Sequence, residues 1–385
     1  PVAAPRRRAF STRAETTARN AADVRDLLRT RLSMTDAEVG RVVRHRPAGA
    51  RATVEPKLTW LQTRFDLDAA QLKKIVVRHP PLLLKSVESM ESSLDWLQRR
   101  LGLDEAGLRK MVLRLPTLLH YSIEDNIVPK LEWLQKRLEQ DEAGLRKMVR
   151  QFPAVLSYSV GDKLAPKLEW LQMRLDLDGE QLRKVARHVS VLSTSIDILE
   201  SKLDWLQSRL DLDAAQLKKV VVALPSLLGM SVEDNVEPTL EWLQRRLDLD
   251  DAGLRKVVLG LPSLLGLSVE ANMAPTLEWL QDRLNLDTAQ LKKVVLGRPS
   301  LLGLSVEDNM EPKLAYLERE IGLSRPELRE HVLRIPAILG YSLDKRYRPR
   351  VEACRAAGVD PAYVLTSAPY TDEYFYARLE RMMAT

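Results

Sequence analysis

Cysteine is almost missing from this chain: Cys354 is the only one in 385 residues. That excludes a disulfide framework and any metal site built on several thiolates. Histidine is scarce too. His45, His79, His120, His188 and His331 share no repeat position and no ligand spacing, so no metal and no other cofactor is expected. There is no Gly-rich phosphate loop, no Ser-His-Asp arrangement and no isolated carboxylate pair, and the chain reads as a non-enzyme. No apolar run approaches the roughly 18 residues of a membrane span, so no membrane partner is expected. Net charge is also missing from most of the chain. Of 59 basic and 53 acidic side chains, residues 1–51 hold 12 and 5, which leaves 47 and 48 for residues 52–385. A nucleic-acid surface on this neutral part requires charges segregated onto one face.

What the chain has is a repeat. Trp60, Trp96, Trp133, Trp170, Trp205, Trp242 and Trp279 are all of its tryptophans, each in Leu-x-Trp-Leu-Gln-x-Arg. The steps between them are 36, 37, 37, 35, 37 and 37 residues, and a further 37 reaches Tyr316. A fixed period of this length marks a stacked array in which each repeat contacts mainly its neighbours.

Counting from each Trp exposes the other columns. In residues 232–268, Leu240, Leu243 and Leu247 form the apolar stripe of a first helix, with Pro238 in its first turn. Eight residues past the Trp stands a cap for a second helix: Asp68, Asp104, Asp141, Asp178, Asp213, Asp250, Asp287, then Ser324. Gln71, Gln181, Gln216, Gln290 and Glu327 complete capping boxes. The second helix is expected to bury Leu254, Val257, Val258 and Leu261. Twenty residues past the Trp or Tyr a proline ends it: Pro80, Pro116, Pro153, Pro225, Pro262, Pro299 and Pro336. A serine follows (Ser86, Ser122, Ser159, Ser231, Ser268, Ser305 and Ser342), placed to cap a short third turn. The fold class is therefore all-α, an α-solenoid of about eight repeats of two helices and a short third turn.

The regular array spans residues 52–343. Residues 21–51 are a partial first repeat, with Val24, Leu28, a cap at Thr35 or Asp36, then Val39, Val42 and Val43 at helical spacing. Pro47 lies 20 residues after Leu27, the usual Trp-to-proline offset. In the fourth repeat Ser190 replaces the proline and two residues are missing, so a local change in superhelical curvature is expected; drift absorbed by neighbouring packing is the alternative. Residues 344–385 concentrate Tyr363, Tyr370, Tyr374, Phe375 and Tyr376 and read as a capping segment over the last interface, or as an aromatic nucleic-acid platform. Residues 1–20 are rich in Arg, Ser, Thr and Ala, with no acid before Glu15, and Arg8-Ala9-Phe10-Ser11 looks like a matrix-peptidase cleavage pattern. They suit a targeting segment or its remnant, or a basic arm that binds RNA or a partner.

The stretch 299–314, Pro-Ser-Leu-Leu-Gly-Leu-Ser-Val-Glu-Asp-Asn-Met-Glu-Pro-Lys-Leu, and its copies resemble the repeats of the mitochondrial transcription termination factor (mTERF) family. The proline, paired leucines, serine and second proline recur in that family's motif, and the likeness runs from residue 24 to about residue 380. It implies an organelle protein, mitochondrial with a plastid as the alternative, whose solenoid binds nucleic acid. Family roles span transcription termination or initiation on DNA, RNA splicing, and ribosome assembly or structure. The repeats here are unusually alike and rich in Trp-Leu-Gln, which leaves the particular role open. No base-contacting residue is carried over.

Two cation columns are candidates for the contact. The first is a pair on the second helix: Lys73 and Lys74, Arg109 and Lys110, Arg146 and Lys147, Arg183 and Lys184, Lys218 and Lys219, Arg255 and Lys256, Lys292 and Lys293. Stacked repeats would turn these pairs into a stripe able to follow a phosphate backbone. The bland reading is that they solvate the outer face of an amphipathic helix. The second is the Arg four residues after each Trp: Arg64, Arg100, Arg137, Arg174, Arg209, Arg246 and Arg283. These either face phosphate or are fastened to their own Trp by cation–π stacking and to nearby acids such as Glu132 or Glu241. The Trp column itself reads as helix packing before base stacking. Few free aromatics argue against a nonselective single-strand binder. Structured RNA is favoured over duplex DNA as partner, with rRNA and ribosomal proteins among the expected contacts and no homo-oligomer. A protein–protein scaffold is the reading from a different class.

Overall fold

The structure, a computed structural model, describes residues 20–44 and 51–383. The targeting-like segment up to residue 19, and His45, Pro47, Gly49 and Ala50 of the partial repeat, lie outside the described residues. Among the described residues there are helices and no strands. The chain divides into two compact units, Pro1–Leu168 and Glu169–Thr385.

The first unit holds α1 (20–32), α2 (Asp36–Arg44), α3 (Arg51–Arg64), α4 (Ala69–Arg78), α5 (Val87–Leu101), α6 (Glu105–Arg114), α7 (Val128–Leu138) and α8 (Glu142–Gln151). The division falls within α9 (Ala165–Arg174). The second unit continues with α10 (Gly179–Ala186), α11 (Val189–Ser193), α12 (Ile196–Leu210), α13 (Ala214–Ala223), α14 (Glu237–Leu247), α15 (Asp251–Gly260), α16 (Ala274–Leu284), α17 (Thr288–Gly297), α18 (Glu311–Ile321) and α19 (Arg325–Arg334). It closes with α20 (Arg348–Ala356), α21 (Tyr363–Thr366) and α22 (Asp372–Met383). Within this unit a first helix packs on its own second helix and on that of the next repeat, as α14 does with α15 and α17. Second helices of successive repeats are neighbours, α13 with α15, α15 with α17, and α17 with α19. The architecture is an all-α solenoid of repeats.

The capping column is built as the residue types dictate. Asp68, Asp104, Asp141, Asp178, Asp213, Asp250, Asp287 and Ser324 each accept from the backbone N–H three residues on, and all five capping boxes form. In the first repeat the cap is Thr35, reciprocated by Glu38. Leu254, Val257 and Val258 are buried, but Leu261 is half-buried and stands just past the helix, because Pro262 has already stopped it. The proline then opens a 3-10 turn such as Pro262–Gly266, which buries Leu264 and Leu265. This turn is the short third helix. The serine comes after it and caps the short turn expected there: Ser268 caps Val269–Met273, which runs on into the first helix of the following repeat.

That first helix has an unexpected start. After Ser122, Ser159, Ser231, Ser268, Ser305 and Ser342 come five residues of π-helix, with N–H groups reaching back five residues, before the α-helix proper. In each case a proline (Pro129, Pro166, Pro238, Pro275, Pro312 and Pro349) stands seven residues after the serine. Proline lacks an N–H and its ring clashes with the carbonyl four residues back; a wider turn accommodates both. Ser92 and Ser201 occupy the proline position in two repeats, and there α5 and α12 run as uninterrupted α-helix for 15 residues. Those two repeats also have one residue fewer between the capping serine and the Trp, ten steps in place of eleven. Proline, extra residue and π turn go together. Pro56, inside α3, is the exception.

The fourth repeat shows what the missing proline does locally. With Ser190 in its place, α10 ends after eight residues and α11 replaces the 3-10 turn. At the other end, Ser342, Pro349 and α20 repeat the first-helix pattern, so the chain leaves the repeat only after α20. Arg350 there is fully buried. It donates to Ser367 O at 2.9 Å, Tyr370 O at 2.7 Å and Asp372 Oδ1 at 2.7 Å, tying the α21–α22 segment down.

Candidate nucleic-acid interface

Adjacent residues on a helix point about 100° apart, and this splits the cation pairs. The first member of every pair is half-buried and the second is exposed. In five of the seven pairs the first member reaches the left-handed residue that ends the preceding repeat's first helix. Arg109 donates to Phe65 O at 2.6 Å and Asp66 O at 3.0 Å; Arg255 donates to Asp211 O at 2.9 Å and its carboxylate at 2.6 Å. Lys218 holds Asp176 and Lys292 holds Asp248 through the same carbonyl. Lys73 does so with Ser33 O at 2.9 Å and pairs with Glu38. Asp66, Asp176, Asp211 and Asp248 all have φ near +50°. A cation placed on the last carbonyls of a helix satisfies them and offsets the helix dipole. These side chains hold the array together.

The second members differ. Lys74, Lys110, Lys147, Lys184, Lys219, Lys256 and Lys293 are exposed, and among the described residues none makes a hydrogen bond or ion pair. Lys219, Lys256 and Lys293 stand at one register on the neighbouring helices α13, α15 and α17. The row has an earlier member that the Trp count misses. Leu27 holds the Trp place, and Arg41, fourteen residues on, is exposed on α2. The 20-residue offset from Leu27 to Pro47 is the signal that finds it. The row ends at Glu330.

The Arg column after the Trp is engaged between repeats. Arg64 pairs with Glu105 at 2.6 Å and Glu91 at 3.5 Å, and Arg100 with Glu142. Arg174 pairs with Glu200 at 2.6 Å and Asp204 at 2.7 Å, Arg209 with Glu237 at 2.9 Å, and Arg283 with Glu311 at 2.9 Å and Glu318 at 2.6 Å. Arg174, Arg209 and Arg246 also donate to Gln207, Gln244 and Gln281. In these three repeats the Leu-x-Trp-Leu-Gln-x-Arg signature is a latch: Arg of one repeat reaches Gln of the next, and Arg283 reaches Glu318 at the same place. Arg64, Arg100, Arg174, Arg209 and Arg283 hold acids of the following repeat, with Glu132 among those acting on Arg100, and not their own indoles. Arg137 makes interactions of its own. Arg64 holds the Glu105 carboxyl below the usual carboxylate range, and Arg100 does the same to Glu142. All seven indoles are half-buried; Trp60 donates to Glu91 at 2.5 Å and Trp170 to Glu200 at 3.0 Å.

Sequence reasoning overlooked a further column, three residues before the Trp or, in the last case, before Tyr316. Lys57, Lys130, Lys202 and Lys313 each donate inward to the last carbonyls of the next 3-10 turn: Leu83 O at 2.7 Å, Leu156 O at 2.5 Å, Leu228 O at 3.1 Å and Leu339 O at 2.5 Å. Burial pushes all four ammonium groups down, Lys313 to about 8. A lysine beside a Trp reads as surface until the fold shows a carbonyl beneath it.

Among the described residues no cluster of three or more His, Cys, Asp or Glu could hold a metal, and no helix is long and apolar enough to cross a membrane. Burial lowers His79, His188 and His331 and raises the Cys354 thiol. No curated protein matches the chain. The family model described as mTERF matches residues 23–174 and 197–368, leaving out the segment that contains Ser190. Most of the chain is covered by these two matches, and the chain belongs to the mTERF family of nucleic-acid-binding helical-repeat proteins.

Proposed function

We propose that this protein is a non-catalytic component of organelle gene expression that grips the phosphate backbone of structured RNA. The gripping residues are Arg41, Lys74, Lys110 and Lys147 in the first unit and Lys184, Lys219, Lys256 and Lys293 in the second. One observation carries the reading. Lys73, Arg109, Lys218, Arg255 and Lys292, each beside a member of the row, are spent on carbonyls and carboxylates, whereas this row is exposed and unpartnered at one register. A lysine that only solvated a helix would have no reason to sit apart from the many available acids in every repeat. The half-buried indoles leave little aromatic surface for splayed single strands, which favours a structured partner. Mitochondrial rRNA, with ribosomal proteins around it, is the partner class that fits; a plastid counterpart has the same chemistry.

The test is a salt titration of binding to a structured RNA hairpin and to duplex DNA of equal length. The expected result is tighter binding to RNA, with affinity falling steeply as salt rises. Preference for the duplex would assign the row to DNA, as in a transcription terminator. No binding of either at low salt would sink the proposal and leave a protein scaffold. Co-purification from the organelle with ribosomal subunits, and not with nucleoid DNA, is the matching expectation in the cell.

A further inference from the structure

One joint in the first unit departs furthest from the pattern. At three joints the helix-ending residue is Asp66, Asp176 or Asp211, and its carboxylate pairs with the incoming Arg109, Lys218 or Arg255; at two more, Lys73 and Lys292 hold the carbonyls of Ser33 and Asp248. At the end of α5 the residue is Gly102, φ +59°, with no carboxylate to offer. Arg146, which holds the pairing position on α8, is not bonded there. Arg150, one turn further on, takes the carbonyls in its place, donating to Leu101 O at 3.0 and 2.6 Å and to Gly102 O.

The result is a concentration of positive charge. A Cβ built on Gly102 would lie 3.0 Å from Arg150 Nη2 and 3.6 Å from Arg146 Nη1, so two guanidinium groups converge on one point. Arg146 Nε is buried without a hydrogen-bond partner. Lys110 and Arg114 line the same open groove of about 620 Å³ between α6 and α8, exposed and without an ion pair. Two carboxylates are near. Asp104 lines the groove but accepts from Gly107 N at 2.8 Å as the cap of α6. Glu142, one turn before Arg146, is held by Arg100 and by Gln135 at 3.1 Å. Lys110, Arg114 and Arg150 thus line one groove and Arg146 reaches its edge beside Gly102, against one lining carboxylate, Asp104, and Glu142, which Arg100 and Gln135 already hold. Two like charges crowded around a glycine, one with an orphaned N–H, are a site waiting for an anion with several acceptor oxygens.

We propose that this groove seats a phosphate group, bound by Arg146, Arg114 and Lys110, with Arg150 locked as the floor by its bonds to α5. The inference deepens the proposed function, since a backbone phosphate of the bound nucleic acid would anchor its register here. The same chemistry would take a free phosphate or pyrophosphate, and the test separates these sources.

The full chain carries Arg146→Gln in one variant and Gly102→Asp in another. Arg146→Gln leaves no carboxylate orphaned. Gly102→Asp installs the acid that Asp66, Asp176 and Asp211 supply at their joints, in the conformation those residues adopt. Arg146→Gln is expected to keep the wild-type urea midpoint, and Gly102→Asp to lower it only modestly, through the left-handed backbone and the Arg150 contact. Fluorescence titration with the RNA hairpin and calorimetry with inorganic pyrophosphate are the readouts. Each variant is expected to weaken RNA binding about 5-fold near 0.1 M salt and to flatten the salt slope by roughly one phosphate contact. Pyrophosphate binding is lost in both. Wild-type RNA binding with unchanged affinity and slope in both variants overturns the groove and leaves the proposed function standing. Pyrophosphate binding that the variants abolish, with no RNA or duplex binding, keeps the groove as a free-phosphate site and overturns the proposed function. Absence of both pyrophosphate binding and any variant effect on nucleic acid overturns the groove.

Discussion

Arg283 holds both oxygens of Glu318 across a joint between repeats, Nη1 to Oε1 at 2.9 Å and Nη2 to Oε2 at 2.6 Å. The Arg283 side chain is only 10% exposed and also bonds Glu311. Two planar groups meeting in parallel make the strongest geometry available to an ion pair. Arg283→Ala should destabilise the protein by about 2 kcal/mol, because it also strands two carboxylates. A double-mutant cycle with Glu318→Gln, read by urea denaturation, should show positive coupling. Additive losses would mean that the pair contributes little.

The same pair sets a pH dependence. Arg283 holds the Glu318 carboxyl below the usual carboxylate range. A carboxyl lowered on folding contributes stability above its unfolded pKa, and that contribution fades as pH falls through its folded value. Acid unfolding followed by circular dichroism should therefore start at higher pH in Arg283→Ala than in the wild type.

Lys313 titrates with the opposite consequence. Burial first, and then Arg298, brings its ammonium down to about 8. Between pH 8 and its unfolded value the unfolded chain binds the extra proton, so the lysine's contribution to stability rises with pH. The stability difference between wild type and Lys313→Thr should grow by up to about 3 kcal/mol from pH 8 to pH 10.5. Thr is the residue that two sibling repeats carry, Thr239 and Thr276. A difference that is flat in pH would contradict the buried ammonium.

The π turns make a prediction about sequence length. Ser92→Pro places a proline in α5, which has no spare residue, and should cost about 3 kcal/mol. Inserting one residue between Ser86 and Ser92 in that variant should recover much of the loss, since a π turn can then form. A recovery no larger than the insertion gives in the wild type would break the link between proline and spacing.

Gly260 carries a reversed expectation for a helix. Replacing an interior helix glycine with alanine normally stabilises by up to about 1 kcal/mol. Here the added Cβ would meet Pro299 Cγ of the next repeat at 2.6 Å, and a proline ring cannot swing aside. Gly260→Ala should lower stability by about 1–3 kcal/mol, measured as a lower urea midpoint.

Most of the fold was legible because it follows from local rules. Asp250 caps, Pro262 stops, and Leu240, Leu243 and Leu247 bury, whatever stands beyond the repeat. What was not legible depends on neighbours. Arg209 next to Trp205 looks like a cation–π partner until the stacking brings Glu237 and Gln244 closer. Lys218 and Lys219 are equivalent as letters; only the helix phase sends one to Asp176 and the other outward. The π turn had a signal, ten residues against eleven from serine to Trp, but its meaning needs the bond pattern. The Gly102 joint was invisible because a missing carboxylate matters only once Arg146 has been placed beside it.

The most direct measurement compares two triple variants against the structured RNA hairpin. One neutralises the outward row, Lys219→Gln, Lys256→Gln and Lys293→Gln. The other neutralises the inward row, Lys218→Gln, Arg255→Gln and Lys292→Gln. The outward variant should keep its stability and lose roughly two to three units of slope in log affinity against log salt. The inward variant should lose stability and, where still folded, keep that slope. An unchanged slope in the outward variant, or an equal loss in both, would contradict the assignment of the grip to the outward lysines.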